Sequence, residues 1–327
     1  MQARTPVCPY ARTIRPMQTP LPPAVPGERF DVGGVSCYVA GQGPPLLLLH
    51  SINATSSAAE VWPLYEHWLA TRTVFAPDLP GYGHSTRSER DYTPRLMTDA
   101  LHAVAAQIRQ RCGVQPVDAL AVSLGCEFLA RAAAEQPAVW GRLALVSPTG
   151  FMGRRRWRGP PGSTRGLPWL HRLLANPRWA QSLFNGLTKP AVVRYFLRRT
   201  WGGPNIDQRM AEYAVMTARQ PGARHAPLHF LSAGLFSADI HNIYDALSQP
   251  VWVSHGVRGD FTDYRGLAAM RARSNWRVTV YPTGALPYFE RPADFNQELA
   301  HFLGGPNDHQ GSPPSPPSPP STPPAQA

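Results

Sequence analysis

Short apolar runs alternate with amphipathic stretches along the first 150 residues of the chain. Runs with the composition of β-strands occupy residues 28–32, 35–40, 45–50, 73–76, 117–122 and 143–146. Stretches with apolar residues at helical spacing occupy residues 58–70, 96–112 and 124–136. The run at 45–50 is continuously apolar, which is typical of a strand buried on both faces. Strands that alternate with helices predict a parallel sheet joined by right-handed crossovers.

The alternation stops near Gly150 and resumes near residue 249. Between these points, residues 151–248 have a helical, arginine-rich pattern with proline and glycine breaks. Beyond them, strands are predicted at 251–254 and 277–281, and helices at 265–273 and 292–303. We therefore expect an α/β core, with a mostly parallel central sheet and helices on both faces, formed by residues 28–150 and 249–303. The inserted residues 151–248 would form a helical cap over the strand ends, where ligand sites of such sheets lie.

Charge and proline are concentrated in particular segments of the 327 residues. The net charge is +11, and 31 of the 32 basic residues are arginine. Residues 151–250 hold 14 basic and 4 acidic residues, whereas the rest of the chain holds 18 basic and 17 acidic residues. Almost all of the net positive charge therefore belongs to the predicted cap. Seven prolines in residues 1–27 and nine in residues 304–327 predict that both Pro-rich ends are disordered.

The arginine run at residues 154–158 has two interpretations. It forms a solvated face, or it attracts an anionic substrate or an acidic lipid surface. No nucleic-acid-binding motif accompanies it, so we expect no nucleic-acid partner. No histidine cluster has metal-ligand spacing, and we expect neither a metal nor a cofactor.

The sequence also bears on location. No apolar run approaches the roughly 18 residues of a membrane span, so no transmembrane segment is expected. Four cysteines without C-x-x-C spacing are typical of reduced thiols. The first residues lack the apolar centre of a secretory signal. We therefore expect a cytoplasmic protein, whose oligomeric state the sequence does not predict.

Ser123 is the strongest candidate for chemistry. It stands in the sequence Ala121-Val122-Ser123-Leu124-Gly125, between a predicted strand and a predicted helix. Small residues two positions before and two positions after the serine let the chain turn sharply and expose its Oγ, as in a nucleophile elbow. The alternative interpretation is an ordinary serine N-cap of a helix. The strand–turn–helix context favours the elbow.

Five segments, in this order, resemble the α/β-hydrolase superfamily, in the branch that carries a helical cap after the sixth strand. They are residues 46–51 at a strand end, the loop DLPGYGHS at 78–85, the elbow at Ser123, residues 256–260, and YPTGALPYFERP at 281–292. The resemblance extends over about residues 28–303. It implies the α/β-hydrolase fold and nucleophilic attack on a carbonyl carbon, although the superfamily includes many activities.

The resemblance also implies residue roles. Ser123 would be the nucleophile, and a histidine oriented by a carboxylate would accept its proton. The backbone N–H groups of Ile52 and Leu124 would hold the oxyanion. Asp260 matches the acid position, although its loop is one residue longer than is usual in the family, and Asp263 is the alternative.

The position at which the family carries its catalytic histidine holds Ala285. The neighbouring Leu286 and Pro287 agree with the family pattern, so misalignment is not the explanation. An alanine cannot accept a proton, and a serine without its base loses roughly 10⁶ in turnover. Three explanations stay open: a naturally divergent member, an engineered inactive variant, or a base supplied from elsewhere. Ser51 in place of glycine and Ala121 at the elbow are further departures, and they favour natural divergence.

Other histidines of the chain are candidates for a displaced base. His50 and His84 stand near the expected site, and His255 ends the strand before Asp260. Each of them is more simply interpreted as a packed or backbone-bonded histidine. His255 is the most interesting, but its position at a strand end places it beside the carboxylate rather than between Asp260 and Ser123.

These observations predict an α/β-hydrolase-fold protein. The first hypothesis is a serine hydrolase of esterase-like type that acts on a small or medium apolar carbonyl substrate. Its catalytic triad would depart from the family pattern, because Ala285 stands at the histidine position. The alternative is a non-hydrolytic member that binds a ligand or partner through the retained pocket. Apolar residues of the predicted cap would line that pocket if they face Ser123, namely Trp169, Leu170, Trp179, Phe184, Tyr195, Phe196 and Trp201.

Overall fold

The computed structural model describes residues 20–153 and 155–304 of the chain. Its strands, numbered along the chain, are β1 Glu28–Val32, β2 Val35–Gly41, β3 Pro45–Leu49, β4 Thr73–Pro77, β5 Val117–Val122, β6 Trp140–Val146, β7 Val251–Gly256 and β8 Trp276–Tyr281. Its helices are α1 Trp62–Trp68, α2 Pro94–Cys112, α3 Gly125–Glu135, α4 Pro168–Leu174, α5 Ala180–Leu187, α6 Pro190–Trp201, α7 Gln208–Ala218, α8 His225–Leu231, α9 Ile240–Ala246, α10 Ala268–Arg271, α11 Pro287–Glu290 and α12 Pro292–Phe302. In this part of the chain, no helix has the length and apolar character needed to cross a membrane.

The strands form one sheet in the order β1-β2-β4-β3-β5-β6-β7-β8. β2 pairs antiparallel with both β1 and β4, and the pairs from β4 through β8 are parallel. The predicted fold class, a mostly parallel α/β sheet, is therefore confirmed. β3 and β5 are neighbours at the centre, and this places the turns after both strands at the same edge of the sheet.

The central strand β5 shows why the sheet needs helices on both faces. Its residues are all buried, and their side chains alternate between two hydrophobic clusters. Ala119 and Ala121 pack in one cluster with α2 and α3, whereas Leu120 and Val122 pack in the other with α1 and α12. A strand buried on both faces requires a nearly continuous apolar sequence, which is the pattern observed at this position.

The region predicted as one helix at residues 58–70 is instead a 3-10 turn at Ala58–Val61 followed by the short helix α1. Pro63 lies in the first turn of α1 and lacks a backbone N–H, so a hydrogen bond to the carbonyl of Ala59 is impossible. A similar 3-10 turn, Arg265–Leu267, precedes α10. The other predicted elements coincide with observed elements, with ends that differ by a few residues.

Among the described residues between β6 and β7 there are six helices, α4 to α9. Two ion pairs that are largely shielded from water join α3 to this segment. The Glu127 carboxylate accepts hydrogen bonds from the Arg165 guanidinium at 3.0 Å and the Ser237 N–H at 2.8 Å. One turn later, Arg131 donates to both oxygens of Asp239, at 2.6 and 3.2 Å. The helix that follows Ser123 therefore holds the inserted residues through charged hydrogen bonds that are shielded from water.

The prediction of disorder for residues 1–27 does not hold for residues 20–27. Ala24 and Val25 are each only 2% exposed, and the Ala24 N–H donates to the Tyr38 hydroxyl. Tyr213 of α7 donates to the Pro22 carbonyl, so this segment also contacts the inserted helices. Apolar burial and satisfied backbone groups offset the conformational entropy that a Pro-rich composition alone would leave unopposed. Residues 1–19 and 305–327 lie outside the described residues.

Candidate active site

Ser123 occupies a strained turn between β5 and α3. Its φ angle is +52°, a left-handed conformation that residues other than glycine seldom adopt. Its backbone N–H donates to the Val146 carbonyl at 2.8 Å, which fastens the turn to the neighbouring strand β6. Such strain persists only where the surroundings enforce it, and it is concentrated at functional sites. The sharp turn that a nucleophile elbow requires is therefore present at Ser123, and the role of this serine as a nucleophile stays a prediction.

The turn also depends on a close approach at Gly125. A Cβ at this position would lie 2.5 Å from the His50 carbonyl oxygen, which belongs to the backbone after β3. The absence of a side chain therefore allows the start of α3 to pack directly against the chain that leads to Ile52.

We expect Gly125→Ala to lower the free energy of unfolding by about 1–3 kcal/mol, because the added methyl group must displace backbone atoms. The same shift would move Ser123 relative to Ile52 and slow any reaction of the serine. Urea denaturation measures the first effect, and the rate of labelling by a serine-directed reagent measures the second. Gly186→Ala in α5 is the control, because a Cβ there meets no atom within 4 Å. Equal behaviour of the two variants would contradict the close-packing argument.

A cavity of about 470 Å³ opens beside Ser123, within the size range of small-molecule sites. Ser123, Ile52, Leu124 and Ala285 all line it, so the structure brings these predicted residues to one place. Apolar side chains form most of the wall, and they are Val122, Met152, Trp157, Leu197, Met210, Phe230, Phe236, Phe261 and Leu286.

The aromatic lining differs from the one expected from the sequence. Trp169, Trp179, Tyr195 and Phe196 are exposed on the outside of the inserted helices, and neither they nor Leu170, Phe184 and Trp201 line the cavity. The aromatic side chains of the inserted residues that do line the cavity are Trp157, Phe230 and Phe236, and only Phe230 lies in a helix. Composition alone does not tell which aromatic residues face the cavity.

The backbone N–H groups of Ile52 and Leu124, for which the sequence predicts an oxyanion role, are free to bind an acceptor in the cavity. In the part of the chain that the structure describes, neither the Ile52 N–H nor the Leu124 N–H has a hydrogen-bond acceptor within the protein. Leu124 is the N-cap residue of α3, where unsatisfied N–H groups and the helix dipole favour negative charge. Together with Ser123, these residues line the cavity wall and can face a carbonyl oxygen that becomes charged.

Ala285 is 4% exposed and its backbone is held on both sides. Its N–H donates to the Thr200 carbonyl at 2.9 Å, and its carbonyl accepts from the Ser147 hydroxyl at 2.6 Å. Ser147 and the half-buried Tyr264 line the cavity beside Ala285. The position expected for a catalytic histidine is thus part of the cavity wall and carries only a methyl group.

The predicted acid, Asp260, does not line the cavity. Its side chain is 37% exposed and accepts a hydrogen bond from the Arg199 guanidinium at 2.5 Å, while its N–H donates to the Arg199 carbonyl. Both contacts hold the Asp260 loop against Arg199 of α6, with the carboxylate partly exposed to solvent. The alternative acid, Asp263, does line the cavity and is paired with Arg265. The acid role of Asp260 therefore stays a prediction.

Histidines do not replace the missing base at the wall. Among the described residues, none of the cavity-lining side chains is a histidine. The buried His50 ring contacts the Ser51 carbonyl and accepts from the Leu79 N–H, and His84 contacts the Tyr38 hydroxyl. The ring of His255 stacks on Tyr264, with centroids 4.0 Å apart.

Glu60 is an ionisable cavity residue that the sequence does not predict, and it is 5% exposed. Its oxygens accept hydrogen bonds from the N–H and the hydroxyl of Ser51, at 2.5 and 2.8 Å. Burial raises the pKa of Glu60 to about 7. The available signal was a single carboxylate between Ala59 and Val61 in an otherwise apolar turn.

Two guanidinium groups lie on the side of the cavity formed by the inserted residues. Arg155 stacks over the Trp157 ring at 3.7 Å and Arg165 at 4.8 Å, and both line the cavity. Arg165 is also paired with Glu127, whereas Arg155 is exposed. An anionic end of a bound molecule would be attracted to this wall. Arg154, in the same run, lies outside the described residues.

Comparisons with known proteins agree with this geometry. The family model described as the alpha/beta hydrolase fold matches residues 44–214, which is slightly more than half of the chain. An uncharacterized protein of Mycobacterium tuberculosis is 29% identical over 140 residues, which cover 42% of this chain. The aligned part spans only 39% of that relative's length.

Solved structures extend the likeness to most of the chain. A serine hydrolase involved in carbazole degradation superimposes with a TM-score of 0.66 at 16% identity, covering 84% of this chain and 97% of the other. An epoxide hydrolase superimposes with a TM-score of 0.64 at 21% identity, with the same two coverages. At these identities, the likeness shows a shared fold.

Proposed function

The chain belongs to the α/β hydrolase fold family, and we propose that it is a serine hydrolase of esterase-like type with a departed triad. The observation that carries this proposal is Ser123, held at a φ of +52° beside a 470 Å³ cavity. Backbone strain of this kind is concentrated at functional sites, and Ser123 lines the cavity, where a bound molecule can reach its Oγ. The mostly apolar wall favours a small or medium apolar carbonyl compound as the substrate.

In the proposed reaction, the Ser123 Oγ attacks the carbonyl carbon of the substrate. The N–H groups of Leu124 and Ile52 stabilise the oxygen as it becomes an oxyanion, a contribution worth roughly 10²–10³ in turnover for one donor. The intermediate then collapses, the C–O bond to the leaving alcohol breaks, and an acyl-enzyme remains. Water attacks this acyl-enzyme, breaks its bond to the Ser123 Oγ, and releases the acid. Ala285 provides no base for either step, so the proton must be taken by another group or by the substrate.

A second candidate function rests on the same alanine. A family member that keeps the cavity but lacks the imidazole would bind a ligand or a partner without hydrolysing it. The methyl group of Ala285 in the cavity wall favours this alternative. For either function we propose a small-molecule ligand and a cytoplasmic location, which fits the free thiols of Cys37, Cys112 and Cys126.

A fluorophosphonate probe tests the proposed function. We expect the parent protein to be labelled at Ser123 and Ser123→Ala to remain unlabelled, because the probe reacts with an activated serine in an oxyanion site. We expect Ala285→His to be labelled faster, since a general base typically contributes 10²–10⁴ in rate. Mass spectrometry of the labelled peptide and hydrolysis of p-nitrophenyl esters are the measurements.

The three proteins together distinguish the two functions. Labelling of Ala285→His alone would reject hydrolysis by the parent and support the non-hydrolytic alternative. If neither protein were labelled, the role of Ser123 as a nucleophile would be wrong.

A further inference from the structure

Glu60 is a carboxylate without a cationic partner in the wall of an apolar cavity. It lies in the 3-10 turn Ala58–Val61, is 5% exposed, and lines the same cavity as Ser123 and Ala285. In the described residues, no arginine, lysine or histidine pairs with it. Burying an ionisable group without a counter-charge is unfavourable, and such groups are concentrated at functional sites.

Glu60 is connected to the cavity through Ser51. The Ser51 hydroxyl donates to Oε1 at 2.8 Å and the Ser51 N–H donates to Oε2 at 2.5 Å. The same hydroxyl accepts from the Asn53 Nδ2 at 3.3 Å, and both Ser51 and Asn53 line the cavity. A hydroxyl that donates to a carboxylate can pass on its own proton when it receives another, so Ser51 provides a route from the cavity to Glu60.

Few other groups at the cavity can accept a proton near neutral pH. The carboxylate of Asp263 is paired with Arg265, which lowers the pKa of Asp263 further below its ordinary range. Burial raises the pKa of Tyr264, which keeps its hydroxyl neutral. Guanidinium groups do not lose a proton in proteins. Glu60 therefore has the most suitable basicity among the described residues of the cavity wall.

The surroundings of Glu60 keep its titration near neutrality. Burial raises its pKa to about 7, and the two hydrogen bonds from Ser51 act in the opposite direction. The titratable groups on the elements packed around this turn include His50, Asp78, Glu66, Arg209, Cys126 and Tyr288. Arg209, the cation among them, pairs with Glu66 at the surface. A group that ionises near the working pH is well suited to both accept and return a proton.

We propose that Glu60 accepts the Ser123 proton through the Ser51 hydroxyl and thus takes the part of the absent imidazole. This inference rests on the proposed serine hydrolase function. Among the described residues, no hydrogen bond joins the Ser123 and Ser51 hydroxyls, which line the same cavity, so one water in the cavity relays the proton. As the Ser123 Oγ bonds to the carbonyl carbon, its proton moves to this water, the water passes a proton to the Ser51 Oγ, and the Ser51 proton moves to Glu60. The proton returns by the same route to the leaving alkoxide, which departs as an alcohol. Water then attacks the acyl-enzyme, gives its proton to Glu60, and releases the acid, while the proton returns to Ser123.

The test compares the pH dependence of p-nitrophenyl butyrate hydrolysis in the parent and in Glu60→Gln. Because a base acts when it is deprotonated, we expect kcat/KM of the parent to rise about tenfold per pH unit and to level off above about pH 7. We expect Glu60→Gln to lose at least about 10²-fold and to lose this pH dependence. Glu60→Asp would recover part of the rate together with the pH dependence, and Ser51→Ala would lose rate in the same direction as Glu60→Gln.

Matched controls separate the proton role from a structural role. Glu66→Gln changes an exposed carboxylate of α1 and is expected to leave both the rate and the pH profile unchanged. Circular dichroism and thermal melting would confirm that each variant is folded. If Glu60→Gln does not fold, Glu60→Asp and Ser51→Ala still test the proton route. A parent labelled at Ser123, together with a folded Glu60→Gln that keeps the parent's pH profile, overturns this inference alone. A parent that is neither labelled nor able to hydrolyse the ester overturns the proposed function and this inference with it.

Discussion

Replacing Asp239 with alanine is expected to lower the free energy of unfolding by about 3–5 kcal/mol, because it leaves a buried guanidinium without its partner. Arg131 and Asp239 have side chains that are 7% and 2% exposed, and their nearest atoms are 2.6 Å apart. Asp239 also accepts the Gly162 N–H at 2.7 Å, so the variant loses a second contact within the inserted residues. The effect should be large because water cannot replace either interaction.

Urea denaturation of four proteins measures this effect: the parent, Asp239→Ala, Arg131→Met and the double variant. A double-mutant cycle is expected to give less than the sum of the two single effects, because the second substitution removes the charge that the first one left unpaired. Glu28→Ala is the matched control, since its pair with Arg111 is exposed to solvent, which screens the attraction between the two charges. An Asp239→Ala variant no less stable than Glu28→Ala would show that the buried pair does not hold α3 to the inserted segment.

Local pattern was enough to predict the elements that build the site. β5 is the predicted strand 117–122, and Ser123 follows it because small residues at positions 121 and 125 permit the sharp turn. A strand–turn–helix motif is defined by neighbours in sequence, so periodicity and residue size carry most of its information. The position of Ala285 in the cavity wall also agrees with the order of motifs along the chain.

The features that sequence could not provide depend on direction and on contacts between distant segments. The pattern places Asp260 after β7, but which way the loop turns depends on the contact with Arg199 in α6. Glu60 resembles any surface glutamate of a helix until the turn around it is seen to be buried. Residues 20–27 have the composition of a disordered segment, and only the packing of Ala24 and Val25 on the core reverses that expectation.

The stability of the parent, compared with that of Glu60→Gln, is expected to fall as the pH rises from about 5 to 8. The folded pKa of Glu60 is raised to about 7, above its ordinary 4.5, so the folded state holds this proton more tightly than the unfolded state. The resulting stabilisation is fully present below about pH 4.5 and is lost as the pH rises through the folded value. This difference in pKa corresponds to about 3.5 kcal/mol at most, since one pKa unit is about 1.4 kcal/mol.

Urea denaturation of the parent and of Glu60→Gln at each pH unit from 5 to 9 measures this difference directly. Glutamine stays neutral and has nearly the shape of the protonated carboxyl, so the two proteins should be close in stability at pH 5. Glu60→Gln should be the more stable protein at pH 9. Other groups titrate in the same range, and burial lowers the pKa of His50, but these contributions are common to both proteins and cancel. A stability difference that stays constant from pH 5 to 9 would mean that Glu60 ionises near its ordinary pKa, and a carboxylate of that kind would be a weak base for Ser123 at neutral pH.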